Sequence, residues 1–281
     1  MQIKARRYDI LSVALRILVR VSATITAALA FYLIGYIMIM GISHLHPSLF
    51  AWKYTSDNVS VTPALVNTVL MTALSLGIAV PLGTFAAIYL AEYARRGSKL
   101  VKIIRMATDT LAGIPSIIYG LFGMLFFVIR LGWGYSLMAG GCTLAVMVLP
   151  LVIRTAEEAL LSVPDAYREG SFGLGAGRLR TVFRVVLPPA IPGILAGVIL
   201  ATGRIVGETA ALIFTAGTLA KIPSSPMDSA RTLSVHMYNL SSEGLHIDQT
   251  YATAVVLIAL VFLINALSEW AAKKMTGVGH G

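Results

Sequence analysis

Charge is scarce in this chain. Of its 281 residues only 12% are Asp, Glu, Lys or Arg, about half the share of a soluble globular domain. That leaves too little polar surface to coat a water-soluble fold. Cysteine is scarcer still. Cys142 stands alone inside an apolar run, which excludes an internal disulfide and a thiolate metal cluster. His44 and His46 form a lone His-x-His that reads as loop sequence rather than a metal site. No Gly-x-x-x-x-Gly-Lys-Ser/Thr string occurs, so any nucleotide hydrolysis belongs to another polypeptide. The first apolar run is too long for a secretory signal and lacks a small-residue cleavage site, so it is expected to stay as a helix. Lys and Arg outnumber Asp and Glu by 22 to 13. The excess is divided among short clusters between apolar runs, which speaks for membrane topology and against a nucleic-acid partner.

What is present is hydrophobic: 57% of the residues, with a mean hydropathy of +0.81. About 20 apolar residues cross a bilayer core as a helix, and six weakly charged windows satisfy that length. They predict an all-α integral membrane protein with helices at about 21–42, 62–91, 108–130, 132–154, 189–217 and 249–270. A segment 1–20 precedes the single transmembrane domain 21–281. Arg95, Arg96, Lys99, Lys102 and Arg105 follow the second window, Arg154, Arg168, Arg178, Arg180 and Arg184 follow the fourth, and Lys273 and Lys274 close the chain. Short basic loops stay in the cytoplasm, which places both termini there and the 218–248 loop outside. That outer loop is expected to lie against the membrane surface as a connector, with an external protein as a further candidate contact. Pro81, Pro115 and Pro150 interrupt the windows; such prolines face protein or a cavity, as packing kinks or gating points.

The longest polar stretch between two spans is 164–188, PDAYREGSFGLGAGRLRTVFRVVLP. Its apolar residues recur at helical spacing on both sides of a glycine-rich turn, so it predicts two short amphipathic helices presenting an apolar ridge. An interfacial helix lying on headgroups would share that pattern. Its fixed intervals, Glu169-Gly170-Ser171, then Gly175, then Val185-x-Leu187-Pro188, resemble the cytoplasmic loop of ABC importer permeases. The family's two alanines are here Gly170 and Ser171, and its isoleucine is Val185. Two further strings, Asn67 to Ala94 and Ile114 to Phe122, are similar to the permease subunits of the phosphate importer. The SVHMYNL segment, Ser234 to Leu240, looks more like PstA than PstC.

The resemblance implies a type I ABC importer permease fold in a bacterial-type inner membrane. It implies a coupling helix at about Tyr167 to Gly177 that docks on an ATPase through Tyr167, Arg168, Glu169, Gly170, Ser171, Gly175 and Gly177. Glu169 would brace that helix by hydrogen bonds and Gly175 would permit the turn after it. The implied partners are a dimer of ATP-binding subunits, a second, PstC-like permease and an external phosphate-binding protein, in a lipid bilayer. The chain itself would bind no cofactor, ATP and magnesium belonging to the ATPase. A permease for phosphonate, sulfate or molybdate shares the loop motif. A membrane-embedded enzyme would need catalytic companions that are missing, and an ion-driven secondary transporter would show two repeated halves.

Arg204 and Glu208 are the charges within the fifth window. A charge at mid-membrane costs at least about 2.5 to 3.5 kcal/mol on insertion scales, so it faces a bundle interior or an aqueous path. Four residues apart on a helix, the two would share a face. Arginine suits a tetrahedral oxyanion because its charge is permanent and its N–H groups are paired. Glu208 would hold Arg204 while substrate is absent; a permanent ion pair fixing helix packing is the alternative. Gly193 with Gly197, and Gly203 with Gly207, are small-xxx-small pairs that let a second helix approach, there and at the Pro115 region giving candidate packing or gating points.

Overall fold

The computed structural model describes residues 10–95 and 97–276. Among them every regular element is helical. α1 (Ile10–Ile42) lies at the periphery. α2 (Thr62–Ile88) ends in a π-turn, Tyr89–Tyr93. α3 (Lys99–Ala112) precedes α4 (Ser116–Gly123), which a π-helical stretch, Met124–Arg130, prolongs. α5 (Leu137–Leu161) is followed by the short α6 (Asp165–Gly173). α7 (Arg178–Thr181) passes through a π-turn, Val182–Val186, into α8 (Leu187–Val206). α9 (Ala210–Ile213), α10 (Leu233–Glu243) and α11 (Ile247–Thr276) complete the chain.

Five helices are long and apolar enough to span a bilayer, and α3 with the α4 stretch, bent by 101° at their break, makes six when that pair is counted as one span. The break has a chemical cause. Pro115 cannot donate a backbone N–H, and a proline biases the residue before it away from helical geometry. Pro115 therefore separates two helices, whereas Pro81 and Pro150 lie inside continuous ones.

The centre of the bundle is α5. Lipid tails are as apolar as leucine, so helices associate by close packing, which small residues permit. A Cβ at Gly83 of α2 would press into Val152 of α5, and one at Gly193 of α8 would press into Ala159. Met71, Leu144, Met147, Val148, Val152, Ile205 and Leu212 fill the core so formed. Toward the cytoplasm Ile88, Leu160, Val163, Val182 and Val186 make a second cluster. α1 is exposed along most of its length and packs on α11, where Gly41 meets the Tyr251 backbone.

Several expected boundaries are corrected by the fold; the fourth span, expected at 132–154, runs Leu137–Leu161. α1 already begins at Ile10, so Arg16 and Arg20 ride on the helix instead of preceding it; long basic side chains reach water from a helix end. Residues 1–9 lie outside the described residues. The fifth span ends at Val206 rather than 217. The loop 218–248 does not rest on the membrane surface. Asn67 Nδ2 of α2 donates to the carbonyls of Lys221 and Arg231, both at 3.0 Å, and the Leu233 amide donates to Thr68 Oγ1 at 2.8 Å. Leu233, Val235 and His236 are buried, so α10 is a plug in the outer half of the bundle.

Candidate functional site: a helix broken inside the bundle and a cytoplasmic docking ridge

α8 packs antiparallel on α5, with Gly193 against Ala159 and Gly197 against Thr155. Carrying that register seven residues on sets Arg204 level with Val148, one residue from the midpoint of Leu137–Leu161. Arg204 thus lies deep in the bundle, half-buried. Among the described residues its side chain makes no hydrogen bond and no ion pair.

The expected Arg204–Glu208 pairing is not formed. The spacing argument required one continuous helix, and the helix stops between the two residues. Gly207 caps α8, and Glu208 turns away, its Oε1 accepting the Ala211 amide of α9 at 3.0 Å. Ser234 Oγ, from the α10 plug, donates to the Glu208 carbonyl at 2.6 Å. A helix can break at this depth only where protein groups re-satisfy the freed backbone, and Glu208 and Ser234 do that. Ser234 had no sequence signal for this role; it sits 26 residues away.

The four small residues divide in the same way. Gly193 and Gly197 admit α5, whereas the space beside Gly203 is open and Gly207 faces only its own turn. The open side adjoins Arg204 in sequence and follows the same helix.

At the cytoplasmic end α6 is held by one guanidinium. Arg168 Nη2 reaches Glu92 Oε1 at 2.6 Å, and Arg168 Nε reaches the same oxygen at 3.0 Å. The guanidinium also donates to two carbonyls at the end of α5, Leu160 O at 2.8 Å and Val163 O at 2.6 Å, and Nη1 lies 3.3 Å from Asp165 Oδ1. Only 13% of the Arg168 side chain and 7% of that of Glu92 are exposed. Arg168 is therefore an internal anchor and not part of an outward docking face. Glu169 is exposed and makes no hydrogen bond among the described residues, so the bracing expected of it belongs to Arg168. Glu92 was missed because its partner is 76 residues distant.

The rest of the loop forms the hairpin its spacing required. Ser171 and Thr181 share a hydroxyl hydrogen bond of 2.8 Å that joins α6 to α7. Gly175, with φ of +81°, makes the turn between them, and Gly177 is the extended residue that starts α7. No side chain crowds Gly170, Gly175 or Gly177. Tyr167, Phe172, Leu174, Leu179 and Phe183 all face outward, Leu174 with 91% of its surface exposed. Exposed apolar side chains gathered on the polar side of a membrane protein make a candidate protein contact.

A bundle of spans, one of them broken at mid-depth beside a lone guanidinium, with a helical hairpin offered to the cytoplasm, defines a membrane transport subunit. The chain belongs to the binding-protein-dependent transport system inner membrane component family, which it matches over residues 79–277. It is 35% identical over 276 residues to the probable ABC transporter permease protein YqgI of Bacillus subtilis, covering 90% of this chain and 94% of that one. It is 33% identical over 250 residues to the phosphate transport system permease protein PstA 2 of Mycobacterium bovis, covering 84% and 82%. Among solved structures, the inward-facing MetNI methionine ABC transporter superposes with a TM-score of 0.60 at 23% identity, over 76% of this chain and 94% of that one. A bacterial importer of the polysaccharide alginate gives 0.61 at 15%, over 92% and 96%. At such identities the structures establish the fold, that of a type I ABC importer permease. The protein is a multi-pass inner-membrane transport component rather than an enzyme, and a permease of this kind works with an ATPase and a second permease.

Proposed function

We propose that this chain carries inorganic phosphate across the inner membrane as the PstA-like half of a permease pair. The observation that supports this most directly is Arg204, a permanent cation level with the middle of α5 and without an acidic partner among the described residues. A desolvated cation requires compensation. A tetrahedral oxyanion passing between two permeases supplies it transiently, through paired N–H donors. The relatives named as phosphate permeases favour phosphate over sulfate, molybdate or phosphonate. The second half of the pair is then PstC-like, facing the open side of α8 near Gly203. An external phosphate-binding protein delivers the anion, and a dimer of ATP-binding subunits, holding ATP and magnesium, docks on the ridge from Tyr167 to Phe183.

Arg204→Gln tests the reading. The variant keeps side-chain length and polarity, so assembly should persist. Loss of a charge-assisted contact of about 2 to 5 kcal/mol should lower phosphate uptake by about 30-fold or more. Near-normal uptake by correctly assembled Arg204→Gln complexes would falsify the placement of Arg204 on the path. Competition of uptake by sulfate or molybdate as strong as by phosphate would reassign the substrate.

A further inference from the structure

We propose that α3 is an interfacial helix that binds anionic phospholipid headgroups of the cytoplasmic leaflet. Its position sets the level. Arg105 of α3 pairs with Glu157 Oε1 of α5, Nε at 2.9 Å and Nη2 at 2.5 Å, and Asp109 lies 3.6 Å from Arg154 Nη1. Those α5 residues begin its charged, cytoplasmic end, so α3 crosses α5 at the membrane boundary. The 101° bend from α4 turns α3 across the direction of the spans. The stretch Ser116–Arg130 has 15 residues, about 22 Å as a helix against a core of about 30 Å. The bend therefore sits several ångströms inside the hydrocarbon edge, the depth at which in-plane amphipathic helices lie.

The three faces of α3 fit that place. Val101, Ile104 and Thr108 turn inward to the bundle. Leu100 and Ile103 are each more than half exposed, and Leu111 continues their stripe; an apolar face so placed meets acyl chains. On the remaining side, Arg105 and Asp109 are engaged by α5, but Lys102, with Lys99 and Arg95 at the N-terminal end, is exposed and makes no ion pair among the described residues. Three cations without an ion pair among the described residues, flanking an apolar face at the cytoplasmic boundary, match an anionic lipid surface in charge and in depth.

The test uses the complete importer, assembled with its partners in nanodiscs. With Cys142 replaced by alanine, a fluorophore on a single cysteine at Ile103 should be quenched by spin-labelled lipid, and one at Lys102 by aqueous iodide. Each cation near an anionic surface strengthens headgroup binding roughly fivefold. The combined Arg95→Gln, Lys99→Gln, Lys102→Gln variant should therefore retain phosphatidylglycerol at least tenfold more weakly by native mass spectrometry, with phosphatidylcholine retention unchanged. Equal phosphatidylglycerol retention by the wild type and the triple variant overturns the proposal. So does an Ile103 probe reached by iodide and not by lipid. Loss of the ATPase from the triple variant in both lipids would assign the charged side to that subunit and overturn it equally.

Discussion

Arg168 and Glu92 join the α6–α7 hairpin to the transmembrane bundle through a buried ion pair of 2.6 Å. The carboxylate comes from the π-turn at the end of α2 and the guanidinium from α6, while Leu160 and Val163 tie the same guanidinium to the end of α5. α6 is thereby tied to the ends of two central helices. Removing one member of a buried pair leaves the other uncompensated, at a cost of about 3 to 5 kcal/mol. Glu92→Gln is expected to lower the stability of the complex and the phosphate carried per ATP hydrolysed. Exchanging the two, as Glu92→Arg with Arg168→Glu, should recover part of the stability but not the carbonyl contacts. Unchanged coupling in Glu92→Gln would show that α6 transmits motion by another route.

Gly175 is demanded by backbone geometry alone. Its φ of +81° is a left-handed conformation, and no atom lies within 4 Å of the position a Cβ would take there. A non-glycine residue in that region costs about 1 to 2 kcal/mol, less for asparagine. Gly175→Leu should reduce ATPase co-purification more than Gly175→Asn. Equal loss in both would point to contact with the partner surface at this position instead of turn strain.

The sidedness is open to direct labelling. With Cys142 replaced, single cysteines at Lys99 and Gly175 should react only with reagents admitted to the cytoplasm, and those at Asp57 and Ser225 from outside. External labelling at position 175 would invert the whole arrangement.

His236, in the α10 plug outside the spans, makes the outer face acid-sensitive. Burial first, and then the charge of Arg231, push its pKa from the ordinary 6.5 down to about 4. Arg231 Nη1 lies 3.0 Å from His236 Nδ1, and a guanidinium can only donate, so the ring is neutral with the proton on Nε2. The unfolded chain takes up the proton first on acidification. Stability is thus full above pH 6.5 and is lost as pH falls toward 4, by up to about 3 kcal/mol. Thermal unfolding of the complex at pH 7 and pH 4.5 should show this loss, and His236→Gln, which keeps an acceptor for Arg231, should flatten it. An equally steep pH dependence in that variant would place the sensitive group elsewhere.

The spans, their sidedness and the hairpin were legible in the sequence because each depends on local features. Apolar length sets a crossing, flanking cations set its direction, and the spacing of Tyr167, Phe172, Leu179 and Phe183 around Gly175 sets two short helices and a turn. That Arg204 interrupts an apolar run followed from the same features. Pairing did not. Helical spacing joined Arg204 to Glu208, but the break at Gly207 sends Glu208 to the Ala211 amide. The hold on α6 falls to Arg168 instead of its neighbour Glu169, since the deciding partner, Glu92, arrives from 76 residues away. The 218–248 loop reads as polar connector, yet Asn67 and Thr68 of α2 draw it into the bundle. Hydropathy and charge act residue by residue along the chain, whereas a buried polar group must find whichever partner the packed helices bring to it. Only the tertiary structure decides that.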